Sequence, residues 1–82
     1  MGITRAHASS SALRHMLREH GVHWYEVEEV MALGLRPHRN KNAGQERRYR
    51  IEGRTRAGRR LRVIFRLRHD GEAEVVTAFE LS

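Results

Sequence analysis

Between Tyr49 and Leu67 apolar and polar residues alternate, first as Tyr49, Ile51 and Gly53, then as Leu61, Val63, Phe65 and Leu67. A period of two sends alternate side chains to one face, so the stretch predicts two half-buried strands joined as a hairpin. For both apolar rows to share a face the turn must contain an odd number of residues. Thr55-Arg56-Ala57-Gly58 suits a type I turn followed by a glycine bulge. A second turn of the same character at His69-Asp70-Gly71 leads to a third strand. An unbroken register would set Phe65 opposite Val75, Val63 opposite Thr77 and Leu61 opposite Phe79. On the other face it places Arg62 beside Glu52 and Arg66 beside Glu74.

Upstream the period becomes helical. Ser9, Ser10 and Ser11 offer N-caps for a helix to about His20, with Ala12, Leu13, Met16 and Leu17 as its buried stripe and Gly21 as its stop. A second helix is expected from about Trp24 to Leu33. Val22 and Val27 fit a hydrophobic staple around His23 at the N-cap position, and Glu26 stands where a capping box places its acid. Glu26, Glu28 and Glu29 crowd the half of the helix where its dipole favours negative charge. Val27, Val30 and Met31 point inward and Gly34 closes the helix. Residues 1–7 show no clear period, with room for a short strand at Gly2 to Arg5, and residues 34–46 form a basic loop broken by Pro37. Burying every apolar face at once gives one α+β domain spanning residues 1–82. In it two N-terminal helices pack on one face of a three- or four-stranded antiparallel sheet, whose other face stays open.

Charge changes what that open face means. The chain of 82 residues carries a formal +6, but residues 36–69 hold twelve arginines and Lys41 against Glu46 and Glu52, a local +11. Arg48, Arg50 and Arg54 on the first arm, and Arg60, Arg62, Arg66 and Arg68 on the second, fall on the polar side of the alternation. So much guanidinium on one side of a sheet implies an anionic partner, because the few acids there cannot pair it all. Fifteen of the sixteen cations are arginine, whose planar fork binds phosphate through two hydrogen bonds and stacks on bases. With no cysteine, disulfides and thiolate metal sites are excluded. The six histidines form no HxxxH pair, and His15 and His20, five apart, lie off one another's helical face. No metal, cofactor or membrane segment is expected, and the setting expected is the cytoplasm.

The segment from Glu19-His20-Gly21-Val22 through Trp24-Tyr25-Glu26-Val27-Glu28-Glu29-Val30 resembles the "KHGVSFEEAEEVF" stretch of BrnT-type toxins. Arg48-Tyr49, Gly53-Arg54-Thr55, Gly58-Arg59 and Leu61-x-Val63-Ile64-Phe65 are similar to that family's "ERY…GRT…GR…LVVVFT" strands. Val75-Val76-Thr77-Ala78 sits where "RIISAR" closes its sheet. The chain departs from the pattern at Glu74 and Phe79, which replace arginines, and at His23, which replaces a serine cap. The resemblance implies a RelE-like fold and a bacterial type II toxin. Such a toxin is a metal-independent endoribonuclease that uses the ribose 2′-hydroxyl for internal attack. A cognate antitoxin would cover its arginine face, with higher-order toxin–antitoxin assembly.

Internal attack requires stabilisation of a pentacovalent phosphorane, which preorganised guanidinium groups supply. Arg54, in the Gly-Arg-Thr match and at a strand end, is the first candidate, followed by Arg50, Arg66 and Arg68. His20, in the His-Gly turn, is the candidate for proton transfer. His7, His69 and Glu52 are further acid–base candidates. Arg48, Arg60, Arg62 and Lys41 are expected to hold RNA. Tyr49 is expected in the core, and Trp24 or Tyr25 beneath the second helix. The alternative is a non-catalytic module whose basic sheet grips nucleic acid or an acidic protein.

Overall fold

The computed structural model describes residues 5–40, 47–68 and 70–82. In chain order these form β1 (Arg5–His7), α1 (Ser10–His20), α2 (Trp24–Met31), β2 (His38–Arg39), β3 (Tyr49–Arg54), β4 (Arg60–Leu67) and β5 (Glu72–Glu80). The strands make one five-stranded sheet in the order β1-β5-β4-β3-β2. An α+β fold is therefore observed, but the sheet is larger than expected and mixed. The central meander gains an edge strand on each side, and β1 runs parallel to β5. An N-terminal strand is described at Arg5–His7, with Ala6 paired to Ala73 and packed on the core; residues 2–4 of the strand expected at Gly2 to Arg5 lie outside the described residues. The two-residue β2 inside the basic loop pairs His38 with Arg50. A pairing this short leaves little periodicity to read.

The first hairpin has the expected register: Tyr49 faces Phe65, Ile51 faces Val63 and Gly53 faces Leu61. Its turn closes through the Gly58 N–H to the Thr55 carbonyl at 2.9 Å, with Gly58 at φ +89°, which explains the glycine. The second turn also uses a glycine, Gly71 at φ +88°, while His69 lies outside the described residues. The register of β5 differs from the expectation. Phe65 pairs with Val75, but Val63 then meets Ala78, and Leu61 meets Glu80. Val76 is the extra residue of a β-bulge, and it reverses the facing of everything after it. The reason lies in the core: Ala73, Val75 and Ala78 are buried, so the inward positions are two and then three residues apart.

The core is Met16, Val22, Val27, Val30, Ile51, Leu61, Val63, Phe65, Ala73, Val75 and Ala78. Tyr49 packs against it, stacked on Phe65 with ring centroids 6.1 Å apart. Packing places α1 along β5 and α2 over β3 and β4. The stripe of α1 is narrower than its period suggests: Met16 is buried, but Leu13 and Leu17 are 37% and 47% exposed. A helix that packs along the single strand β5 turns few of its side chains inward. Helix α2 ends at Met31, before the expected Leu33, and Gly34 follows at φ +68°. A Cβ on Gly53 would come within 2.9 to 3.3 Å of Leu35, Leu33 and Val30, so the missing side chain lets the end of α2 settle on β3.

One side chain ties these layers together. Arg59, in the β3–β4 turn, donates from Nη1 to the Gly21 carbonyl at 2.9 Å and to Glu26 Oε1 at 3.0 Å. Its Nη2 reaches the His20 carbonyl at 3.2 Å and its Nε reaches Glu80 Oε1 at 2.9 Å. Glu26 in turn accepts from the His23 N–H at 3.0 Å, capping α2. Burial pushes the Glu26 carboxyl up, but the His23 N–H and the Arg59 guanidinium outweigh it and hold its pKa below the ordinary value.

Replacing Arg59 by Ala strands a buried carboxylate and the carbonyls that end α1, and should destabilise the fold by about 3 kcal/mol in urea unfolding. In the double-mutant cycle with Glu26→Gln the loss should fall well short of additive. A carboxyl depressed in the folded state stabilises above its unfolded pKa and stops doing so as pH falls through the folded value. Thermal stability should therefore drop on acidification below about pH 4.5, and less steeply in Glu26→Gln.

Candidate nucleic-acid interface

Because Ile51, Leu61, Val63 and Phe65 face the helices, Arg50, Glu52 and Arg54 of β3 and Arg60, Arg62, Ile64 and Arg66 of β4 face away from them. The sheet's outer face is therefore cationic, as its alternation implies. It is also partly neutralised. Glu52 accepts from Arg62 Nε at 2.6 Å and lies 3.8 Å from Arg50 Nε. Glu74 holds Arg68 at 3.0 Å and Arg66 at 3.5 Å. Glu72 lies 3.5 Å from Arg5 and 4.0 Å from His7. Arg60 is exposed and pairs with no acid among the described residues, and Arg54 bonds only the Gly58 carbonyl of its own turn, at 2.9 Å.

The sequence-predicted site residues do not form one cluster. Arg54 pairs with Arg60 at one end of the hairpin. Arg66 lies six residues further along β4, about 20 Å away, and Arg68 further still. A single phosphate cannot be held by all of them. Arg50 joins Arg62 through Glu52, and its Nη1 also donates to the Arg39 carbonyl at 2.8 Å. The Arg48 carbonyl accepts from the Asn40 N–H at 2.8 Å, holding β2 against β3. Lys41 lies outside the described residues. His20 sits at the end of α1, with its ring centroid 5.7 Å from Phe79. Arg59 serves the fold from the opposite face.

Two groups that the alternation assigned elsewhere complete the surface. The bulge turns Phe79 outward, paired with Arg62 rather than Leu61, and the Arg62 guanidinium carbon lies 5.9 Å from its ring centroid. A row Glu52–Arg62–Phe79–His20 thus crosses β3, β4, β5 and α1 on one surface. His15 extends it: although five-residue spacing sets ideal helical positions about 140° apart, its ring meets that of His20 edge-on at 5.1 Å. His20 is the last helical residue, and its ring folds back toward His15. Beside them an open groove of about 470 Å³ is lined by Ser9, Ser11, His15, Arg66, Glu74 and Thr77. The interval between Val75 and Ala78 is the sequence signal that could have revealed the bulge. Nothing in the sequence signals the approach of His15.

Chemically, this surface offers guanidinium groups for phosphates, one half-buried ring for a base, and imidazoles beside it. Among the described residues no three His, Asp or Glu side chains are grouped to hold a metal ion, and no helix is long and apolar enough to cross a membrane. Neither a family model nor a curated protein matches the chain.

The outer arginines should contribute little to stability, unlike Arg59. Arg62→Ala removes exposed ion pairs and should shift the urea midpoint by no more than about 1 kcal/mol of stability. A loss comparable to that of Arg59→Ala would make Arg62 part of the scaffold.

Proposed function

We propose that the outer face binds single-stranded RNA, and that the protein is a metal-independent endoribonuclease of the BrnT and RelE kind, a toxin restrained by a cognate antitoxin. The observation that carries the reading is Phe79: a ring delivered by a β-bulge onto an arginine-lined face, flanked by Arg62 and His20. Single-stranded nucleic acids are held by this combination, with bases stacked on aromatic rings and the backbone drawn along cationic side chains. Helices packed on the opposite side of a basic antiparallel meander support the RelE-like arrangement, together with the Glu19–Val30 and Arg48–Phe65 likeness. Internal attack by the 2′-hydroxyl would proceed at a phosphodiester near Phe79, with Arg62 or Arg66 stabilising the phosphorane. An acidic antitoxin segment laid over the same arginines would block access, and the free protein would act in the cytoplasm.

One observation favours a second reading, a non-catalytic binding module. Glu52 and Glu74 already engage Arg50, Arg62, Arg66 and Arg68, which suits adjustable charge pairing better than a fixed phosphorane cradle.

Incubation of the purified protein with RNA in EDTA separates the two. The nuclease reading expects fragments ending in 2′,3′-cyclic phosphate; intact RNA with salt-sensitive binding supports the module. In either case the affinity should fall with a log–log salt slope of about −2 or steeper. Phe79→Ala should weaken binding about tenfold, corresponding to loss of one stacked base. Salt-independent binding, or an unchanged affinity in Phe79→Ala, would remove the face from the account.

A further inference from the structure

The groove between α1 and β5 has an arrangement that the arginine row does not explain. His15 and the hydroxyl-bearing Ser9 and Ser11 form its helical wall, and Arg66, Glu74 and Thr77 form its sheet wall. Thr77 lies two residues from Phe79 on the same outward face, about 7 Å along the strand. Its Oγ1 is enclosed without a hydrogen-bond partner, an uncommon state for a buried hydroxyl and one that a small side-chain rotation toward the groove would relieve. Glu74 is held by Arg66 and Arg68, so its charge is already balanced. The groove therefore sets hydroxyl donors, a guanidinium and an imidazole beside the aromatic ring, at roughly the separation between a nucleobase and its own phosphate.

Building on the RNA-binding reading above, we infer that this groove seats the ribose and phosphodiester of the nucleotide whose base stacks on Phe79, with His15 as the residue that exchanges a proton with it. Ser9, Ser11 and Thr77 hydrogen-bond the phosphate oxygens and Arg66 offsets their charge. His15 accepts the 2′-hydroxyl proton as the 2′-oxygen bonds to phosphorus. The bond from phosphorus to the 5′-oxygen breaks, and the departing oxygen takes a proton from His20, whose ring meets that of His15. The products are a 2′,3′-cyclic phosphate and a free 5′-hydroxyl, with no redox change. His15 is exposed and outside the core, so its replacement should leave the fold intact.

Two measurements on the full chain test this. In NMR titrations with adenosine 3′-monophosphate, the His15 imidazole and Thr77 amide signals should shift saturably, whereas adenosine alone should move Phe79 and leave His15 in place. Silence at His15 with the nucleotide overturns the phosphate seat. In cleavage assays His15→Ala should cut RNA about 100-fold or more slowly while binding it within about threefold of the parent. Equal cutting overturns the role of His15 but leaves the nuclease reading standing. A parent protein that binds RNA and never cuts it overturns the nuclease reading and the proton transfer together, and the titration still decides the seat.

Discussion

Arg59 is the constraint on which the arrangement of layers rests. One guanidinium satisfies the last carbonyls of α1, the capping carboxylate of α2 and the end of β5, starting from the turn between β3 and β4. The corner between α1 and α2, the β3–β4 turn and the end of β5, three parts distant in sequence, are thereby fixed together. Geometry makes this possible: the fork has several planar donors, and two of the acceptors it meets are the backbone carbonyls of His20 and Gly21 at the end of α1. Glu29 adds a second tie from α2, accepting the Arg56 N–H at 3.0 Å. With both helices anchored to one side of the sheet, the other side is left for the remaining arginines.

The bulge at Val76 then decides what stands among them. Without it Phe79 would face the helices and Ala78 the solvent; with it the small alanine fills the core beside Val63 and the ring lies outside. The outer face gains an aromatic surface between Arg62 and His20, and the groove beside α1 lies against the bulged stretch. Glu52 and Glu74 temper the charge, linking arginines into pairs with defined positions. The face is thus an ordered array of donors more than a diffuse cloud of charge.

Much of this could be read from residue types because it depended on local chemistry. The β3–β4 register followed from alternation and turn parity, and the cap of α2 from Val22, His23, Glu26 and Val27. What escaped was set by tertiary packing. Residues Arg5–His7 and His38–Arg39 become strands only because an edge is there to receive them. The bulge follows from the burial of Ala73, Val75 and Ala78 at intervals of two and then three residues, which a strict two-residue period passes over. Arg59 looked like one more cation of the basic stretch, since its role depends on acceptors from Gly21, Glu26 and Glu80. Arg54, Arg50, Arg66, Arg68 and His20 stand far apart along the sheet for the same reason: alternation identifies a face but not a distance along it.

RNA is proposed to lie on the outer face across β4, β5 and the edge of α1. Mapping backbone amide shifts as a short single-stranded RNA is added tests it most directly. The account predicts perturbations grouped at Arg62, Ile64, Arg66, Thr77 and Phe79, with Val27 and Val30 of α2 undisturbed. Perturbations centred on α2, or spread evenly over the surface, would contradict it.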